Sequence, residues 1–201
     1  VIRTRQPSDE FEGRVQAGID NGFGYFLRGS ISGPITDTLR FRVAGSWYDT
    51  EGFLRNTFLN EDADPLEDLG LRATLLWTPT SNFTADLRGS INRLRTQALY
   101  FNIVTDVNDT SLPIRVNNAG QNDRDINNVS LRLNYETEAG TLTIQPAYRE
   151  ADLAYQINGV FRAAFSAEKD KQTSVEARWA GNIGDTVDYL VGAIYFDERY
   201  I

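Results

Sequence analysis

The chain has 201 residues, a formal net charge of −8 and no Cys, His or Met. Without Cys and His, this sequence cannot form the usual zinc sites, Ser-His-Asp or Cys-His nucleophiles, or a disulfide framework. An acidic chain with no Lys/Arg run is a poor nucleic-acid binder, and no apolar run reaches the roughly 18 residues of a membrane helix. It starts at Val1-Ile2-Arg3 without a signal peptide, so we expect it to be part of a larger protein.

The dominant pattern is an alternation of apolar and polar residues with a period of two, which predicts β-strands. About nine strands are predicted in chain order, over residues 11–20, 25–32, 39–48, 71–77, 83–92, 129–136, 142–149, 173–179 and 187–196. Almost no helical periodicity is present. The sequence therefore predicts an all-β, antiparallel fold.

The two faces of the predicted strands differ in chemistry. One face is apolar, and it carries aromatic residues near the strand ends: Tyr25, Trp47, Trp77, Tyr135 and Trp179. The other face carries charges along its whole length, including Arg14, Arg28, Arg42, Arg72, Arg88 and Arg132. Alternation alone fits both a soluble β-sandwich and an outer-membrane barrel. Aromatic residues near strand ends favour the barrel, because such residues form girdles at membrane interfaces.

The lengths of the connections separate the two folds further. Four connections are tight turns, at residues 33–37, 78–82, 136–140 and 182–186. The others are predicted to be long, at residues 50–68, 93–127 and 150–171, apart from a brief one at 20–22. Since successive strands are antiparallel, the short turns fall on one rim and the long loops on the other. This segregation is typical of a bacterial transmembrane β-barrel.

Several segments resemble TonB-dependent outer-membrane receptors. The turn Gly33-Pro34-x-x-Asp37-x-Leu39-x-x-Arg42 and the following run Tyr48-Asp49-x-x-Gly52-Phe53 are similar to an early barrel hairpin of that family. Residues 1–7 resemble the segment that leaves the plug domain of these receptors, and residues 188–198 resemble a later barrel strand.

The resemblance implies a fold and a function. It implies that residues 1–201 are the N-terminal part of a receptor barrel, about nine strands of 22, without the plug, the TonB-binding segment or the C-terminal strands. The outermost strands of such a piece have unpaired edges, which a bilayer does not tolerate. The implied protein is an active importer in the bacterial outer membrane and not an enzyme, with no cofactor or resident metal. Its expected partners are TonB, the lipid bilayer and a scarce nutrient. The nutrient is most often a ferric siderophore, but a receptor of the same architecture would also serve for vitamin B12 or a saccharide.

Two stretches are candidates for substrate contact. The loop at 93–127 contains Tyr100 and Phe101 beside many amide and charged residues, including Arg124, and such a loop can grip a polar chelate or simply close the barrel mouth. The stretch at 155–165, with Phe161 and Arg162, is a similar candidate.

Charged groups elsewhere allow two further hypotheses. Five carboxylates lie between Asn60 and Asp68. They could bind Ca²⁺, but Asp62-Ala63-Asp64-Pro65 lacks the calcium-loop spacing, and a solvated loop tip is the simpler interpretation. The arginines of the charged face could attract an anionic ferric chelate, or could pair with acidic groups of the barrel or of a plug.

Two other functions remain open at this point. A small complete barrel acting as a pore or adhesin would need an even number of strands. A soluble carbohydrate-binding β-sandwich would pack its apolar face against itself and would fold without detergent.

Overall fold

The computed structural model describes residues 4–100, 114–158, 163–184 and 186–201. All regular secondary structure within these ranges is β-structure. The described residues include no helix that is long and apolar enough to cross a membrane.

Nine long strands form one antiparallel sheet, and each strand pairs with the next long strand in the chain. They are β1 (Glu12–Asp20), β2 (Gly24–Pro34), β3 (Leu39–Thr50), β6 (Leu66–Thr80), β7 (Phe83–Thr96), β9 (Asn122–Thr137), β10 (Gly140–Asn158), β11 (Ala163–Ile183) and β12 (Val187–Tyr200). Three two-residue strands complete the set: β4 (Arg55–Asn56), β5 (Glu61–Asp62) and β8 (Leu99–Tyr100). Strands β4 and β5 pair with each other, and β8 joins the large sheet by pairing with β10. The predicted strand number and antiparallel order are confirmed.

The sheet is an open meander whose edges are β1 and β12. These two strands do not pair with each other in the described ranges, so the sheet does not close into a small barrel. It also does not pack against a second large sheet there, as the sandwich alternative requires. Large apolar side chains consequently stay exposed along the strands, with Val15 at 78%, Leu27 at 51% and Val191 at 67% of their full exposure.

The four predicted tight turns, between β2 and β3, β6 and β7, β9 and β10, and β11 and β12, lie on one rim. We call this edge the turn rim, and the opposite edge the loop rim. In the β2–β3 turn, the backbone N–H groups of Ile35 and Thr36 donate to the carbonyl of Leu39, at 2.7 and 3.1 Å. At the β9–β10 turn, Gly140 has a φ of +141°, a conformation that side chains rarely adopt.

The strands are longer at the loop rim than predicted. The prediction of a long loop at 150–171 is wrong, because β10 continues to Asn158 and β11 begins at Ala163. Similarly, β6 begins at Leu66, β7 runs to Thr96 and β9 begins at Asn122. The apolar alternation ends before these extensions, and paired charges take its place.

Ion pairs join neighbouring strands in these extensions, beyond the last apolar residues. The ammonium of Lys169 lies 2.7 Å from Glu150 and 3.1 Å from Asp152, and Arg95 lies 2.6 Å from Asp125. The hydrogen bond from Lys169 lowers the pKa of Glu150, and that from Arg95 lowers the pKa of Asp125. Opposite charges in register thus replace apolar side chains in holding the ladder together.

Candidate functional site

The sheet has two chemically distinct faces, which are the starting point for any site. Neighbours across the strands keep the alternation in register: Phe41 lies opposite Leu75, which lies opposite Leu87. The same row continues through Leu131 on β9. We call this side the apolar face and the opposite side, which carries the charges, the polar face. All six arginines that the sequence singled out lie on the polar face, as the ladder registers require.

Aromatic residues border the apolar face at both rims. Near the turn rim, Trp77 and Phe83 make an edge-to-face contact with centroids 5.9 Å apart, and the indole N–H of Trp179 donates to the Tyr189 hydroxyl at 2.9 Å. Near the loop rim, the indole N–H of Trp47 donates to Glu67 at 3.4 Å. Such side chains keep an apolar body on the face and turn a polar tip to its border, as residues at a membrane interface do.

The N-terminal segment, residues 4–11, crosses the polar face. The guanidinium of Arg88 donates to the Thr4 hydroxyl at 2.9 Å, and the N–H of Ser8 donates to the Ser32 hydroxyl at 2.9 Å. Ser32 is fully buried by this contact and in turn donates to the carbonyl of Phe41 at 2.9 Å. The segment therefore approaches β1 from the polar side of the sheet.

Near the turn rim, each arginine of the polar face has a partner. Arg88 lies 2.5 Å from Asp86, Arg42 lies 2.9 Å from Glu12, and Arg178 lies 3.1 Å from Glu176. Arg40 pairs with Asp9 of the N-terminal segment, and Arg132 donates to the Gln145 amide oxygen at 3.0 Å. This half of the polar face is largely neutralised by groups of the chain itself.

At the loop rim, two separate loop segments are joined. The side chain of Asn56 is fully buried, and its amide nitrogen donates to the carbonyl of Val116 at 2.9 Å. Its amide oxygen accepts from the N–H of Phe58 at 3.1 Å and from the N–H of Val116 at 3.4 Å. The N–H of Thr57 also donates to the carbonyl of Ile114 at 2.8 Å. Residues 51–65 and 114–121 thus form one compact unit above the sheet.

The acidic stretch between Asn60 and Asp68 is used by the fold. Asp64 accepts from the N–H groups of Phe53 and Leu54, at 3.0 and 2.7 Å, and Asp62 pairs with Arg55 at 3.1 Å. Asp68 accepts from Asn92 at 3.1 Å. In the described ranges, no three His, Cys, Asp or Glu residues are grouped as ligands for a metal ion. Asp62, Asp64 and Asp68 thus have separate structural partners.

The predicted substrate-contact residues are only partly described. Arg124 lies on the polar face of β9, opposite Leu94 and Leu153, and is exposed. The backbone of Tyr100 pairs with Asn158 in the parallel β8–β10 ladder. Phe101, Phe161 and Arg162 lie outside the described residues. The prediction that these residues contact a substrate stays a prediction.

Sequence reasoning missed the role of Asn56, which no local pattern marks, because its partner lies sixty residues away. It also missed Phe26, whose ring lies 5.1 Å from the guanidinium of Arg28. The spacing of Phe26 and Arg28 by two residues on one strand, which puts both on the same face, was an available signal.

No family model matches the chain. Among solved structures, it is similar to the siderophore receptor PirA from Pseudomonas aeruginosa, with 19% identity and a TM-score of 0.67, over 98% of this chain and 31% of that one. It is also similar to the ferripyoverdine receptor of the Pseudomonas aeruginosa outer membrane, with 15% identity and a TM-score of 0.70, over 98% of this chain and 29% of that one.

A third similar structure is the ferric-catecholate import receptor Fiu from E. coli K12, with 12% identity and a TM-score of 0.65, over 97% of this chain and 32% of that one. At these identities the comparisons establish the fold. The chain spans under a third of the length of each receptor. The fold expected from the resemblance to TonB-dependent receptors, an incomplete antiparallel β-barrel, is confirmed.

Proposed function

We propose that this chain forms part of the barrel wall and the outer loops of a bacterial outer-membrane receptor that imports a ferric siderophore by TonB-driven transport. In this arrangement the apolar face meets lipid, the polar face lines the lumen, and the loop rim faces the outside of the cell. Residues 1–201 are then the N-terminal part of the barrel domain.

One observation carries the proposal. A single antiparallel sheet of nine strands, apolar on one face and charged on the other, matches siderophore receptors over 98% of the chain. The match is physically reasonable, because a sheet with an uncovered apolar face is stable only where lipid covers that face and closure removes its edges. The solved structures named above are receptors and not enzymes, which supports a transport role.

The path of the N-terminal segment supports a barrel whose lumen is filled by a preceding domain. Residues 4–11 reach β1 across the polar face and are bound there through Thr4 and Ser8. A chain that enters the wall from the luminal side fits a receptor whose plug domain precedes the barrel. Two residues remain proposed contacts for the substrate: Arg124, near the loop-rim end of β9, and Tyr100, in β8.

The experiment is a gene deletion in the source bacterium, followed by uptake of radiolabelled iron presented in a panel of ferric chelates. We expect uptake of at least one chelate to be lost, restored by a plasmid copy of the full-length gene, and abolished by deleting tonB. Uptake that depends on the gene but continues without TonB would instead indicate a passive pore. Unchanged uptake of every chelate would contradict the importer assignment.

A further inference from the structure

The N-terminal segment follows one row of residues across the polar face. This row crosses β1, β2, β3, β6 and β7 and contains Glu12, Ser32, Arg42, Thr74 and Arg88. Thr4 is bound to Arg88 at one end of the row, and Ser8 is bound to Ser32 near the other. From β7 to β2 the path crosses β6 and β3, so it covers about 14 Å at the usual strand spacing. Four residues reach about 14 Å only when extended, so residues 4–8 are stretched along the row.

Further contacts attach this segment beside β1. Pro7 is buried, and the N–H of Ser8 donates to the Ser32 hydroxyl at 2.9 Å. Asp9 forms an ion pair with Arg40 on β3. The segment is therefore attached at both ends and close to its middle. We call residues 4–9 the strap.

The strap excludes water from the part of the wall that it crosses. Ser32, Thr74 and Asp86 lie along its path on the polar face, and they are 0%, 5% and 7% exposed. Polar-face residues nearer the loop rim, such as Arg28 and Arg72, are exposed. Close packing of this kind is found only under the strap, within the described part of this face from β2 to β7.

A buried carboxylate fixes the attachment of the strap to β7. The Nε and Nη2 groups of Arg88 donate to the two oxygens of Asp86, at 2.9 and 2.5 Å. Its Nη1 group donates to the Thr4 hydroxyl at 2.9 Å. A two-point contact with a carboxylate sets the orientation of a guanidinium group. Thr4 is therefore bound to a side chain that is itself held in place.

The strap protects β1 from a pull on the chain that precedes it. Strand β1 begins at Glu12, shortly after the strap, and pairs with β2 along its whole length up to Asp20. A pull at Glu12 would open this ladder from its end, one residue pair at a time. The contacts of the strap with β7, β3 and β2 lie ahead of this ladder along the chain and carry the load first.

We propose that the strap stays bound to the polar face during import, so that the movement that opens the lumen ends ahead of residue 4 and β1 carries no load. The inference rests on the proposed function, in which a domain that precedes the barrel fills its lumen. Such a domain must move or unfold locally before a substrate can pass. The strap sets the limit between this moving part and the fixed wall.

The test joins the strap to the wall by a covalent bridge. In the full-length protein, freed of any other Cys, Ser8→Cys and Ser32→Cys are combined and joined in cells by a short, reducible thiol-to-thiol cross-linker. Uptake of radiolabelled iron from the same panel of ferric chelates is then measured. We expect the bridged protein to import at the rate of the unbridged one. The controls are the two single-Cys variants treated with the same reagent.

A loss of uptake on bridging that is restored by reduction would overturn the inference, because the strap would then have to leave the wall. The importer assignment would stand, since the reduced protein imports. A wild type that imports no ferric chelate would instead remove the proposed function and this inference together.

A second measurement decides the case in which the double variant is inactive before bridging. Ser32→Cys alone is exposed to a water-soluble maleimide in cells with and without tonB, during uptake from the panel. Because the strap buries this position, we expect slow labelling in both strains. Ser30→Cys is the matched control, since it lies on the same face of β2, is only half-buried, and should label faster. Labelling of position 32 that rises only in the importing strain would overturn the inference.

Discussion

The side-chain amide of Asn56 makes two hydrogen bonds with the main chain of Val116, one to its carbonyl at 2.9 Å and one from its N–H at 3.4 Å. The side-chain amide thus bonds to both the N–H and the C=O group of residue 116, as a neighbouring strand would. Because Asn56 is fully buried, these bonds are protected from water. The two loop segments, 51–65 and 114–121, are therefore held as one unit over the loop rim.

Replacing Asn56 with Ala should separate these two loop segments. The change leaves part-buried N–H and C=O groups of Phe58 and Val116 without these partners, at a cost of about 1–3 kcal/mol at most for each unsatisfied group. Hydrogen exchange of the full-length protein should become faster in residues 52–60 and 114–118, with the strands unchanged. The control is Asn117→Ala, an exposed residue in the same loop. Equal exchange in the two variants would show that Asn56 does not hold the loops.

Two Asp-x-Arg pairs allow a matched comparison of ion pairs in different surroundings. Asp86 and Arg88 are 2.5 Å apart, and the Asp86 side chain is 8% exposed, whereas Asp197 and Arg199 are 3.2 Å apart and 40% and 74% exposed. Asp86→Ala should lower the free energy of unfolding by about 1.5–3 kcal/mol, since it leaves the Arg88 guanidinium without its carboxylate partner. Asp197→Ala should cost under about 1 kcal/mol. Urea titration of the full-length protein in lipid vesicles measures both. Similar losses for the two variants would contradict the difference in burial between the two ion pairs.

The β9–β10 turn depends on a glycine. Gly140 has a φ of +141°, and an added Cβ would lie against the carbonyl oxygen of Ala180 on the adjacent strand. Gly140→Ala should therefore destabilise the barrel by about 1–3 kcal/mol. Gly13→Ala is the control, because its nearest neighbour is the Ser30 carbonyl oxygen at 3.8 Å. The thermal midpoint of the unboiled, folded species on gels should fall for Gly140→Ala alone, and a fall of equal size in both would count against this geometry.

Acidification should fray the loop-rim ends of β10 and β11 before the rest of the sheet. The pKa of Glu150 is lowered by the hydrogen bond from Lys169, so this ion pair stabilises the hairpin above the ordinary pKa of 4.5 and is lost as the pH falls through the lowered value. Hydrogen exchange at about pH 7 and about pH 3, corrected for intrinsic rates, spans this range. Residues 151–157 should lose protection at the lower pH, while residues 142–148 keep theirs. A uniform loss of protection along β10 would contradict the expectation that the Glu150–Lys169 ion pair stabilises only the loop-rim end of the hairpin.

The strand order and the two faces could be predicted from the sequence because both depend on a period of two. Each predicted strand carries three to five apolar residues in alternation. Tight turns with Gly, Pro, Asn or Asp fix the turn rim. The strand ends at the loop rim could not be found in this way. There, the acidic residues Glu150 and Asp152 on β10 face the lysines Lys169 and Lys171 on β11. A search for alternating hydrophobic residues does not detect this pattern of charges.

The candidate site was less predictable than the fold. The arginines of the polar face were identified correctly, but their partners come from other strands and from the N-terminal segment, as with Arg42 and Glu12 or Arg40 and Asp9. Which arginines have an acidic partner depends on these long-range neighbours. The same applies to Asn56, whose role follows only from the placement of residue 116 beside it.

In the proposed barrel, the apolar face of this sheet meets lipid and the polar face lines the lumen. The 201 residues contain no Cys, so single-Cys variants at each position from 71 to 77 on β6 can carry one spin label each in the full-length protein, freed of any Cys outside these residues and reconstituted in lipid vesicles. We predict that labels at Leu71, Ala73 and Leu75 are accessible to dissolved oxygen and shielded from a water-soluble nickel complex. Labels at Arg72, Thr74 and Leu76 should show lower oxygen accessibility. Oxygen accessibility that does not alternate from one residue to the next, or high nickel accessibility at all seven positions, would contradict a lipid-facing barrel wall.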